Sequence, residues 1–209
     1  MESDCCCKET ATTDDCCSDA CCETTCCCCA PAVAKVGQPA PNFSMKTTAD
    51  LDTLESTASL KDYAGKWLVL FFYPLDFTYV CPTEILGLSD AYDEFVKLGA
   101  DVLGVSTDSV HCHRAWINTP RDHNGIHGVR FPIGSDMTGS VSRSYGVLIE
   151  EEGIALRGLF IIDPDGVLQY SVVNSLSVGR SVEETLRVLQ AIQTGERCPI
   201  DWKPGDKTL

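Results

Sequence analysis

Two short stretches of the chain are apolar almost without a break, WLVLFFY at 67–73 and DVLGVSTD at 101–108. Runs of that kind predict strands covered on both faces. Between them, PTEILGLSDAYDEFVKLG at 82–99 sets Ile85, Leu88, Tyr92, Phe95 and Val96 along one helical stripe, and Gly99 supplies the stop. Strand, helix and strand in that order predict a crossover that leaves the two strands parallel. Further on, RGLFIID (157–163) and GVLQYSVV (166–173) flank Asp163-Pro164-Asp165-Gly166, a hairpin signal. These aspartates lack the spacing of a calcium loop, so the turn is the better reading. SVEETLRVLQAIQT at 181–194 predicts a closing helix, with Ser181 and Glu184 as a capping box and Leu186, Leu189 and Ile192 facing the core. The elements together predict an α/β domain of thioredoxin-like layout, a mixed central sheet flanked by helices.

Composition changes that picture at the N-terminus. Eleven of the fourteen cysteines fall in the first 29 residues, in clusters CCC, CC, CC and CCCC, among seven acids and the single base Lys8. Without large aliphatic or aromatic side chains such a segment cannot offset its ordering entropy. The chain therefore divides into an acidic, cysteine-rich tail (1–35) expected to be disordered, a domain (36–197) and a C-terminal segment (198–209). Three readings of the tail stay open. Adjacent thiolates such as Cys26, Cys27, Cys28 and Cys29 can hold zinc or copper(I). They can instead act as a plain redox buffer, or carry acyl anchors, which the acidic flanks disfavour. The net charge of −14 argues against nucleic acid or an anionic membrane as partner. No apolar run is long enough for a transmembrane segment, and the start lacks the pattern of a signal peptide. A reducing, cytoplasmic setting follows, where cysteines serve catalysis or metal more often than structural disulfides.

Cys81 stands apart from the tail clusters. It follows the first strand after a short loop and sits in the first turn of helix 82–99, with Pro82 suited to an opening position. Unpaired N–H groups at a helix start favour an anion, and a thiolate is the attacking form of cysteine. Thr78 is placed to bring its hydroxyl close to the sulfur, and Pro74 to shield the pocket from water. From position alone, a reactive thiol and a small buried hydrophobe are equally good readings.

The surrounding text shifts that balance. Pro74-x-x-x-Thr78-x-x-Cys81, within FYPLDFTYVCPTEI, resembles the active-site signature of the peroxiredoxins, in particular the typical two-cysteine branch. The resemblance extends through AWINTPR (115–121), RGLFIID (157–163), VGRSVEETLR (178–187) and CPIDWKPGDKT (198–208). It implies a thiol peroxidase in which Cys81 attacks the O–O bond and becomes a sulfenic acid. Thr78 would then hydrogen-bond the peroxide, Pro74 shape the pocket and Arg157 stabilise the thiolate. Glu84 and Arg180 would support that arginine, and no cofactor is needed. Cys198 matches the resolving cysteine, which implies a homodimer with an intersubunit disulfide and, in some redox states, a decamer of five dimers. Thioredoxin or a similar dithiol would be the reductant.

Two features depart from the branch. RDHNGIHGVRF (121–131) stands where many eukaryotic members carry Gly-Gly-Leu-Gly, and the helix with a Tyr-Phe pair has no counterpart before Leu209. The resemblance then implies a helix that unwinds readily and an enzyme that resists overoxidation. A disulfide reductase is the rival enzyme, disfavoured because Cys81-Pro82-Thr83-Glu84 lacks the second cysteine of a Cys-x-x-Cys pair. A chaperone or metal-binding scaffold is the non-enzymatic rival. Cys112, between His111 and His113, reads as structural, since neighbours two apart on a helix do not share a face.

Overall fold

The computed structural model describes residues 33–209, so the tail clusters with Cys26–Cys29 lie outside the described residues. In chain order the elements are β1 (Ser44–Thr47), β2 (Thr57–Ser59), β3 (Trp67–Phe72), α1 (Val80–Asp90), α2 (Tyr92–Lys97), β4 (Ala100–Ser106), α3 (Val110–Asn118), β5 (Ile133–Ser135) and α4 (Ser140–Ser144). They continue with β6 (Leu148–Ile149), β7 (Ile154–Ala155), β8 (Arg157–Ile162), β9 (Leu168–Asn174) and α5 (Val182–Gln193). A seven-stranded mixed sheet runs in the order β2-β1-β5-β4-β3-β8-β9, with β6 and β7 as a separate ribbon.

β3 lies between β4, parallel to it, and β8, antiparallel to it. Its apolar run has a direct cause, because side chains alternate across a strand and both faces are covered. Val69 and Phe71 enter one cluster with Ile85, Phe95, Trp116 and Leu189 from the helices, and Leu68, Leu70 and Phe72 enter another with Phe43, Tyr145 and Phe160. Gly104 of β4 is required by this packing, since a Cβ there would come within 2.8 Å of the Phe71 ring.

The predicted crossover and hairpin are both present, with three differences of detail. The helix predicted over 82–99 begins at Val80, so Pro82 is its third residue, and it breaks at Ala91 into α1 and α2 before Gly99 ends it at φ +67°. Ser181 caps α5 by accepting from the Glu184 N–H, but the Glu184 carboxylate turns to Arg187 instead of completing a capping box. In the β8–β9 turn, Asp163 Oδ1 accepts from the N–H groups of Asp165 and Val167 and Oδ2 from Gln169. Its carboxylate holds the turn, with Gly166 at φ +81°. Contacts to the domain begin before residue 36, since the Ala34 N–H donates to the Ser144 carbonyl at 2.9 Å.

Candidate active site

β3 delivers the chain to Pro74, which is buried, and a short loop then enters α1. Cys81 is the second residue of α1 and is 0% exposed. Glu84, three residues on, shares its face of the helix. Arg157 opens β8, the neighbour of β3, and Arg180 immediately precedes the Ser181 cap of α5. Three separate elements thus converge on one sulfur.

Arg157 Nη1 lies 3.4 Å from Cys81 Sγ and donates to Glu84 Oε2 at 2.6 Å, while its Nε donates to the Leu176 carbonyl at 2.8 Å. The other oxygen, Glu84 Oε1, accepts from the Arg180 backbone N–H at 2.8 Å and from Arg180 Nε at 2.7 Å. Arg180 Nη1 donates to the carbonyls of Phe72 and Gly158, and its guanidinium lies over the Phe71 ring at 5.3 Å. All three charged side chains are buried. Burial pulls the Arg180 guanidinium below its ordinary value, and Glu84 opposes that. Two guanidinium groups face one carboxylate, which leaves one positive charge unmatched beside the sulfur. A negative charge brought to this sulfur would balance it, with the dipole of the α1 N-terminus added. The same donors suit an oxygen that gains charge as an O–O bond breaks.

Thr78 is half-buried three residues before Cys81, and its Oγ1 donates to the Leu75 carbonyl at 3.0 Å rather than to the sulfur. Its lone pairs remain open to a donor entering the pocket.

The AhpC/TSA family description matches residues 36–171 of the chain. The chain is 56% identical over 177 residues to "Putative peroxiredoxin YkuU" of Bacillus subtilis, covering 83% of this chain and 97% of that one. It is 54% identical over 180 residues to "Peroxiredoxin-2" of Rattus norvegicus, covering 84% and 90%. The solved structure "Crystal Structure of Plasmodium vivax 2-Cys Peroxiredoxin, Reduced" superposes with a TM-score of 0.79 at 39% identity, covering 83% of this chain and 91% of that one. The chain belongs to the peroxiredoxins. It is a thiol peroxidase, an oxidoreductase on a thioredoxin-like fold, as the sequence text implied.

A second peroxiredoxin thiol would have to come from elsewhere in the structure. Cys81, Cys112 and Cys198 are all free among the described residues. Cys198 is half-buried beyond the end of α5, its Sγ 3.6 Å from the Ala191 carbonyl and 3.5 Å from Thr194 Oγ1. Arg180, part of the Cys81 surroundings, precedes α5 and Cys198 follows it. The twelve residues of that helix span about 18 Å. The structure therefore groups Cys81, Glu84, Arg157 and Arg180, and leaves Cys198 outside.

Sequence reasoning missed a buried polar group behind the Cys81 loop. Asp76 Oδ1 accepts from the Tyr73 hydroxyl at 2.8 Å, and Oδ2 lies 2.8 Å from Nδ1 of the buried His113. Asp108 Oδ2 accepts from the Asp76 N–H and from Ser106 Oγ. Cys112 completes a set whose ligand atoms lie within 4.8 Å of one another. Both Asp76 oxygens are already engaged by protein donors, so internal hydrogen bonding accounts for this group. Burial, then Asp76 and Asp108, push the Cys112 thiol up to about 12. The missed signal was Tyr73 and Asp76 inside the motif text, three residues apart and both polar beside an apolar run.

Proposed function

We propose that Cys81 is the thiol that meets the peroxide and that Cys198 of the partner subunit completes the cycle. The Cys81 thiolate attacks the distal oxygen of hydrogen peroxide or an organic hydroperoxide. An S–O bond forms, the O–O bond breaks, and the leaving oxygen takes a proton to depart as water or alcohol. Arg157 donates to the oxygen that gains charge, Thr78 orients the peroxide, and Pro74 keeps bulk water away. Glu84 and Arg180 hold Arg157 in position. The sulfenic acid then condenses with the Cys198 thiol, releasing water as the S–S bond forms. A thioredoxin-like dithiol reduces that disulfide and is itself oxidised.

The observation that carries this reading is the buried pair of arginines around one carboxylate, with a positive charge left over at Cys81. Homodimers fit it, because within one chain Cys198 Sγ sits against Ala191 and Thr194 at the end of α5 and is not among the groups around Cys81. Among the described residues the outer edge of β9 beyond Leu168, whose N–H and carbonyl bond segment 37–38, has no strand partner, which offers a surface for subunit pairing and for assembly towards decamers. Among the described residues no helix is long and apolar enough to cross a membrane. We place the enzyme in a reducing compartment such as the cytoplasm, with antioxidant defence as its role and the tail as an accessory segment.

The test is a pair of single-turnover experiments. Cys81→Ser abolishes peroxide consumption, whereas Cys198→Ser gives one fast oxidation and then stalls. Sustained turnover by the Cys81→Ser protein removes the assignment.

A further inference from the structure

Cys81 is 0% exposed inside the first turn of a helix, and Cys198 lies beyond the far end of another. On the reading above, the first turn of α1 must open before the two sulfurs bond. What holds that turn closed is therefore part of the reaction cycle.

One hydrogen bond from another element reaches the backbone of residues 77–80 among the described residues. Asn124 Nδ2 donates to the Thr78 carbonyl. Asn124 is itself firmly placed. It stands at φ +62°, a conformation that asparagine tolerates better than most residues, and its N–H donates to the Arg121 carbonyl at 3.2 Å. Its carbonyl accepts from Trp116 Nε1 at 2.7 Å. Next to it, a Cβ at Gly125 would lie 1.9 Å from the Thr119 oxygen, so the loop closes tightly there. Trp116 is 0% exposed, and its ring lies 5.9 Å from that of Phe77. Phe77 sits at φ +53°, a costly conformation for a bulky side chain. The loop before Cys81 is thus held in a strained shape by the Asn124 bond and by Phe77 against Trp116.

We propose that Asn124 is a positioning residue that latches segment 77–80 and so sets how often the first turn of α1 opens to release Cys81. This rests on the assignment of Cys81 and Cys198 given above. Asn124 lies in RDHNGIHGVRF, the loop whose departure from the family text implied ready unwinding; the tether works in the opposite direction. It is exposed and touches no reacting atom, so it acts only through the Thr78 carbonyl.

Two variants test the latch on the full-length reduced protein. Asn124→Gly keeps the left-handed backbone accessible and removes the amide. Asn124→Asp keeps the shape and turns a carboxylate oxygen to the Thr78 carbonyl. In both, amide hydrogen exchange at Thr83, Glu84 and Ile85, the first N–H groups bonded within α1 and released when its opening turn unwinds, rises about two- to tenfold, the effect of one neutral hydrogen bond. In rapid-quench experiments with hydrogen peroxide, thiol alkylation and mass spectrometry, disulfide formation speeds by a similar factor. The preceding oxidation of Cys81 does not speed. Wild-type exchange at these amides overturns the proposal. So does faster exchange spread equally over α3 and β4, which marks a general stability role, and so does faster local exchange with unchanged disulfide formation. Failure of the thiol assignments shows separately, as oxygen added to a cysteine other than Cys81 or as a disulfide that omits Cys198.

Discussion

Arg157 directs one nitrogen at both Cys81 Sγ and the Glu84 carboxylate, so its removal has two effects at once. The Cys81 sulfur loses its nearest cation, and a buried carboxylate loses half of its pairing. Arg157→Ala is expected to slow the reaction with hydrogen peroxide by about a hundredfold or more, the scale of a lost transition-state donor. Arg157→Lys recovers only part of this, because a point charge cannot serve sulfur, carboxylate and the Leu176 carbonyl together. Competition kinetics against a reference peroxidase measures both, and a wild-type rate in Arg157→Ala removes the role. Cys112 behaves in the opposite way to a reactive thiol. Its folded-state value is raised from 9.0 to about 12, so the folded protein holds that proton more tightly than the unfolded chain. Its contribution to stability is complete below pH 9 and is lost as pH rises towards 12. Native Cys112 should resist alkylation at pH 9 until denaturant is added, and rapid labelling in the folded state would contradict that. Cys81, Glu84, Arg157 and Arg180 were legible because each sits in a short stretch of family text. Asn124 and the Asp76–His113 pair were not, since their partners are remote in sequence and only the fold brings them together.

At the scale of elements, the strands with an uninterrupted apolar run were readable, while β1, β2, β5, β6 and β7 were not. Those five have two to four residues each, too few for a periodic pattern to stand out from a loop. The break between α1 and α2 was hidden for a related reason. The apolar stripe continues across Ala91, and an alanine gives no stop signal. The β8–β9 turn was legible in full because Asp-Pro-Asp-Gly specifies its own geometry. Asp163→Ala removes three acceptor contacts from that turn. It should lower unfolding free energy by about 1–3 kcal/mol in urea titrations without changing the peroxide rate. A matching loss of peroxidase activity in the folded variant would tie the hairpin tip to the site, against this expectation.

For the whole molecule, the groups proposed for catalysis lie between Pro74 and Cys198, and the described fold begins at residue 33. Deleting residues 1–32, which spares the Ala34 contact to Ser144, should leave the peroxide rate within about twofold, since no group placed at the reaction is removed. A tenfold loss would make the tail part of the catalytic apparatus. The same truncated protein, once oxidised, should migrate as a covalent dimer on a non-reducing gel, and a monomer would exclude the disulfide between subunits. Arg180 carries a broader consequence. The side chain that steadies Glu84 also joins the carbonyl of Phe72 at the end of β3 to that of Gly158 in β8. On the proposed reading one residue therefore bears on both the site and the sheet, so that a substitution at Arg180 disturbs the two together. A change of rate that spared the sheet would have to come instead from the loops around the sulfur, where a substitution leaves the strand-to-strand contacts intact.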